Sequence, residues 1–76
     1  MKIKKALKLK QSGKLLGAQI WKNPNDMQQW FIMINKKNGK SFMLVDEDEN
    51  VIVDQNLNEL IKTLSKIGLK QAEMFF

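Results

Sequence analysis

The chain has no cysteine, no histidine and no tyrosine, and although it carries thirteen basic residues none of them is arginine. Each absence excludes something. Without cysteine there is no disulfide, and without cysteine or histidine the usual zinc ligands are missing. Histidine and cysteine also supply the commonest general base and the strongest common nucleophile. Ser12, Ser41 and Ser65 therefore have no imidazole to activate them. Only four glycines and one proline occur, and no Gly-rich phosphate loop is present. The expected role is non-enzymatic, with no cofactor and no metal.

Long apolar runs are absent as well. Nothing approaches the roughly 18 residues needed to span a bilayer. The start, "MKIKKALKLK", has the charge of a signal-peptide leader. It lacks an unbroken apolar stretch and a small-residue cleavage site, so it does not read as a signal. Together with the missing cysteines, this leads to an expectation of a cytoplasmic protein with no membrane partner. The 76 residues allow a single domain, 1–76. A domain of that size buries only about 60% of the surface its unfolded chain exposes. Its core must hold alone, or a second copy must help it.

What is there is lysine, unevenly placed. Residues 1–25 hold seven lysines and no acid; residues 26–76 hold six lysines and eight acids, a difference of −2. The asymmetry predicts an electropositive N-terminal region able to meet a polyanion. Lys4, Lys5, Lys8, Lys10 and Lys14 are the candidate nucleic-acid-binding residues. Lysine without arginine favours attraction to phosphate over reading of base edges. The plain alternative is a solvated face that keeps a small protein soluble. A membrane-surface helix is disfavoured, because Ile3, Ala6, Leu7 and Leu9 include no aromatic.

The pattern along the chain predicts an α+β fold: a small, largely antiparallel, twisted sheet, formed by a β-meander plus a final strand. An N-terminal helix precedes it, and one amphipathic helix comes before the last strand. Ile3, Ala6 and Leu7 recur at helical spacing, which predicts a helix over residues 2–12 with Gly13 just beyond it. Leu7–Lys10 also alternates like a strand, so the segment carries both signals. Leu15–Trp21 reads as a strand, and Lys22–Asp26, around Pro24, as a turn. Gln28–Val45 is the clearest unit: two apolar runs flank Asn38-Gly39, which predicts a hairpin with a type I′ turn. Asp46–Asn50 is a polar turn, and Val51–Val53 returns as a fourth strand. Leu57, Leu60, Ile61, Leu64 and Ile67 form an apolar helical stripe, capped by Asn56 and stopped by Gly68. Glu59 completes a pattern like a capping box.

Two further segments bear on function. Asp46, Asp48 and Asn50 match the first three ligand positions of a calcium-binding EF-hand loop. The match fails at Val51, where glycine is needed, and at Leu57, where glutamate is needed, so a solvated turn is expected. In the hairpin, Trp30, Ile32 and Ile34 alternate with Phe31 and Met33, so the strand is apolar on both faces. The second helix covers one face. The other is left to the first helix, to a second subunit or to a ligand. Trp21, Trp30, Phe31 and Phe75 are thus the candidate interaction residues, either as core or as platforms for a partner. The expected partners are nucleic acid or another protein, a homodimer among them.

The chain ends "QAEMFF". Gln71, Met74 and Phe75 resemble the short peptide by which many bacterial replication proteins dock on the sliding clamp. The tail departs from that pattern in having Ala72 and Glu73 where leucine and serine or aspartate are usual. The competing expectation is a last strand, since Ala72, Met74 and Phe76 lie at period two. Met74 and Phe76 would then face the core and Phe75 the opposite side. The helix–strand order with basic charge is similar to that of double-stranded-RNA-binding domains. The lysine-rich start of their last helix is replaced here by the acidic "DQNLNEL".

Overall fold

In the computed structural model residues 1–75 are described; the placing of Phe76 in the core lies outside them. The chain runs α1 (Ile3–Gln11), β1 (Leu15–Asn23), β2 (Asp26–Lys36), β3 (Ser41–Met43), β4 (Val53–Asp54), α2 (Leu57–Ile67) and β5 (Glu73–Phe75). This is the expected α+β fold, with a mostly antiparallel sheet and a helix before the last strand. The order across the sheet is β3-β2-β1-β5, with β4 also on β2.

The ambiguous first segment is helical. Burial decides it: Ala6 and Leu9 enter the core, Ile3 packs against it and Leu7 is only half-buried, so the apolar stripe keeps Ile3 and Ala6 of the expected set and takes Leu9 in place of Leu7. A strand would have placed Leu7 and Leu9 on one side together. The helix ends as the sequence implied. Gly13 has φ 74°, its N–H donates to the Lys10 carbonyl, and the Lys14 N–H donates to that of Leu9.

β1 and β2 form one long hairpin. The expected loop at residues 22–26 shrinks to Pro24-Asn25, because Asn23 pairs with Asp26 and the Asn23 side chain accepts the Asn25 N–H at 3.0 Å. Near its start β1 has a bulge, between Leu15 and Gly17. Leu16 is the extra residue and is pushed outward, to 69% exposed.

The β2–β3 connection differs from the type I′ expectation. A type I′ turn needs positive φ at both Asn38 and Gly39. Only Gly39, at φ 89°, has it. The Lys36 N–H donates to the Lys40 carbonyl and the Gly39 N–H to that of Lys36, so the loop is three residues with a left-handed last position. The acidic turn repeats this design. The Asp46 N–H donates to the Asn50 carbonyl, the Glu49 N–H to that of Asp46, and Glu49 sits at φ 65°. Asp46 Oδ1 also accepts the N–H groups of Asp48 and Asn50. The carboxylate that would open a calcium loop is thus engaged in its own turn. Among the described residues no cluster of acids, histidines or cysteines is arranged to hold a metal.

The meander departs from expectation at β4. Leu44 is the last residue held by β2, through its N–H to the Ile32 carbonyl. The chain then leaves, makes the acidic turn, and comes back to pair Val53 with Phe31 and Asp54 with Trp30. The expected return is made in part: Val51 bridges Val45 and the Ile52 N–H donates to the Leu44 carbonyl, antiparallel to the segment that follows β3, and β4 itself then pairs with β2.

In α2 the Asn56 side chain accepts the Asn58 N–H at 2.9 Å. Such a cap stabilises a helix by about 1 kcal/mol. The reciprocal half of a capping box is not made. The Asn56 N–H goes to Asp54 Oδ1 instead, and Glu59 pairs with Lys62. Leu60, Leu64 and Ile67 are buried, whereas Ile61 is 50% exposed. α1 and α2 pack side by side on the same face of the sheet. The core joins Ala6 and Leu9 of α1, Leu60, Leu64 and Ile67 of α2, and Ala18, Ile20, Ile32 and Ile34 of the central strands.

The tail is a strand. β5 runs parallel to β1, with Gln19 opposite Glu73 and Trp21 opposite Phe75. Met74 lies on the helix side but is 39% exposed, so it closes the edge of the core and is not buried within it. A segment built into the sheet in this way is not presented as the free peptide that the clamp-docking resemblance implied.

Candidate nucleic-acid interface and open sheet face

Two surfaces follow from this architecture. The first is basic. Lys4, Lys5, Lys8, Lys10 and Lys14 are all exposed. The turn after α1 brings Lys14 against the β2–β3 turn, where the Lys37 N–H donates to the Lys14 carbonyl at 3.1 Å. Lys36 and Lys40 share a backbone hydrogen bond in that same turn. Lys14, Lys36, Lys37 and Lys40 are therefore gathered at one end of the molecule, and the last turn of α1, with Lys8 and Lys10, leads into it. Lys4 and Lys5 continue the patch about 6 Å further along the helix axis. Sequence reasoning missed Lys36, Lys37 and Lys40, because it followed charge along the chain and not across the sheet. Their place in a turn opposite the start of the first strand was the available signal.

Among the described residues these lysines make no ion pair with an acid. The ion pair among the described residues is Lys62–Glu59, at 3.3 Å on α2. Two lysines rest on rings, one of them from this end: Lys22 Nζ lies 5.4 Å from the centre of Trp30, and Lys36 Nζ lies 5.9 Å from that of Phe42. Such contacts are worth about 0.5–1 kcal/mol at exposed sites. Lys8 and Lys10, in the last turn of α1, also favour the negative end of the helix dipole.

The second surface is the sheet face away from both helices. Period-two alternation places Gln19 and Trp21 of β1 there, with Phe31, Met33 and Asn35 of β2, Met43 of β3, Val53 of β4 and Phe75 of β5. Trp21 and Phe75 stack, with ring centres 4.2 Å apart and planes 10° from parallel. The Trp21 Nε1–H donates to Gln19 Oε1. Phe31 is only 8% exposed although it lies outside the main core. It lines a concave pocket of about 310 Å³ with Asn23, Pro24, Asn25, Met43, Val51 and Val53. Of the four aromatic candidates, Trp21, Phe31 and Phe75 share this face. Trp30 does not; it packs against the core on the helix side.

The rim of the open face is polar and internally bonded. Ser41 Oγ donates to Asn35 Oδ1 at 2.7 Å, and Asn23 Nδ2 to Gln29 Oε1 at 3.3 Å. None of the sheet residues on this face is lysine. Apolar centre and polar rim are the anatomy of a protein interface. A phosphate backbone would find no cation there.

Compared with protein families, with curated proteins and with solved structures, the chain matches none. Among the described residues, no helix is long and apolar enough to cross a membrane.

Proposed function

We propose that the protein is a small, non-enzymatic, cytoplasmic binding module that contacts nucleic acid through its basic end. The observation that supports this reading is the meeting of Lys14, just after the lysine-bearing α1, with the turn that carries Lys37 and Lys40, from two separate parts of the chain, with no carboxylate paired to them among the described residues. Lysines placed in this way release counterions from a phosphate backbone on binding. With no arginine to fork onto guanine, the contact is to phosphate and carries little sequence preference. α1 supplies Lys4 and Lys5 along the same track.

The test is the salt dependence of binding to duplex and single-stranded oligonucleotides. Each lysine that meets a phosphate contributes about one unit to the slope of log K against log salt. Changing Lys14, Lys37 and Lys40 to Gln is expected to flatten the slope by about three units, at equal loss on all sequences. Changing Lys62 and Lys66 on α2 to Gln is expected to leave it alone. A parent protein that binds no nucleic acid, or an unchanged slope in the triple variant, refutes the reading.

A second reading rests on a different observation, the uncovered aromatic sheet face. It makes the protein a protein-interaction module, and the two readings concern different surfaces of the molecule, the lysine-bearing end and the open sheet face.

A further inference from the structure

The structure points to a specific occupant for the open sheet face. We propose that it binds a second copy of this chain, in a two-fold arrangement that seats Trp21 and Phe75 of each copy over Phe31 of the other.

Shape is the first ground. Trp21 and Phe31 are register partners on adjacent strands. Trp21 is backed by Phe75, which makes a raised aromatic pair beside the pocket that Phe31 floors. A two-fold interface uses the same patch on both subunits, so the patch must be complementary to itself. A knob next to a hole meets that condition, and a local axis between them delivers each knob to the other copy's hole. The pocket, about 310 Å³, lies at the small end of the range for ligand sites and suits one large side chain.

Charge is the second ground. Each copy carries +5, and two such molecules repel unless their contact avoids the lysines. The sheet residues on this face avoid them. Their one formal charge is Glu73, at the β5 edge. The α1 lysines stand on the opposite layer and remain outward when the faces meet. The same absence of cations removes a nucleic acid as the occupant.

Size is the third ground. Among the described residues the main core joins eleven buried hydrophobic residues, and Phe31 is buried outside it. Phe31 with Trp21, Met33, Met43, Val53 and Phe75, and Val51 at the pocket, forms a second apolar group of seven on the open side. Covering it gives a 76-residue domain a second core.

The experiment is sedimentation velocity of the full chain over a wide concentration range, repeated with Met43→Glu and Val51→Glu combined. Both side chains are exposed in the monomer, so the fold should survive, as circular dichroism can verify. The expected result is a dimer whose dissociation constant rises about 100-fold or more in the variant, equivalent to about 2.7 kcal/mol. A chain that stays monomeric at high micromolar concentration overturns the proposal. So does a dimer that the double variant leaves intact, since its contact then lies elsewhere, at the β5 edge for example. Should the variant fail to fold, fluorescence decides. Parent emission is expected to shift to the blue with concentration, and Trp21→Phe is expected to abolish that shift. A shift that survives in Trp21→Phe overturns the proposal, as does a parent spectrum independent of concentration. None of these readouts involves the lysines, so failure here and failure of nucleic-acid binding are distinguishable.

Discussion

The Trp21–Phe75 stack ties the last strand to the open face, and its strength can be isolated. Phe75→Leu keeps an apolar side chain of β5 in place while removing the ring. Trp21→Leu does the same on β1. With ring centres 4.2 Å apart and nearly parallel planes, the pair should contribute about 0.5–1.5 kcal/mol beyond the area it buries. Each single change is expected to destabilise by more than that, because apolar contact with the sheet is lost too. The double variant should then be less destabilised than the sum of the singles by that same about 0.5–1.5 kcal/mol. Urea unfolding at low protein concentration, followed by circular dichroism so that the probe is the same with and without Trp21, is the assay. For 76 residues the unfolding entropy near the midpoint is about 0.16 kcal/mol per degree, so each kcal/mol moves the melting temperature by about 6 °C. Additivity within about 0.3 kcal/mol would refute the reasoning, since independent sites behave that way and stacked rings do not.

Other expectations are simpler. Glu49→Gly should stabilise by about 0.5–1 kcal/mol, because glutamate at φ 65° is strained and glycine is not; unchanged or lower stability in thermal unfolding would count against the turn described. Leu64→Ala should destabilise by about 2–5 kcal/mol. Ile61→Gln, one turn earlier on the same apolar stripe, should change stability by no more than about 0.5 kcal/mol. The opposite ranking would mean that α2 is rotated on the sheet.

Sequence legibility followed how local each signal is. Asn56 and Gly68 bounded α2, and Asn38-Gly39 marked the hairpin, because capping and turn chemistry act within a few residues. The turn type was harder to read, since Asn38 tolerates positive φ without requiring it. Ile61 belongs to the helical stripe by period, and only the width of the sheet beneath decides that it stays outside. The same holds for β4: Val51–Val53 reads as a strand, but its neighbour depends on where Leu44 leaves β2. Alternation put Trp30 and Phe31 on opposite faces, yet could not say which face both helices would take. The basic end was half-legible. The five candidate lysines stand close in the chain, while Lys37 meets them through its backbone bond to Lys14 and Lys40 through the turn it shares with Lys36.

The pairing of β5 with β1 also bears on how the molecule is assembled in time. β1 and β2 meet across a two-residue turn, so their closure is local and fast. β5 must find β1 from the far end of the chain, with Gln19 waiting for Glu73. Closing so long a loop is entropically the most demanding of the strand pairings, and only three residue pairs hold it. β5 is therefore the natural last piece to dock and the first to leave. Each departure bares the outer edge of β1 between Gln19 and Trp21, a row of unpaired amides beside an exposed aromatic. That is the arrangement most inclined to recruit a strand from another chain. The stack on Trp21 sits at this latch, where it lowers the population of open molecules and so guards the edge against unintended pairing.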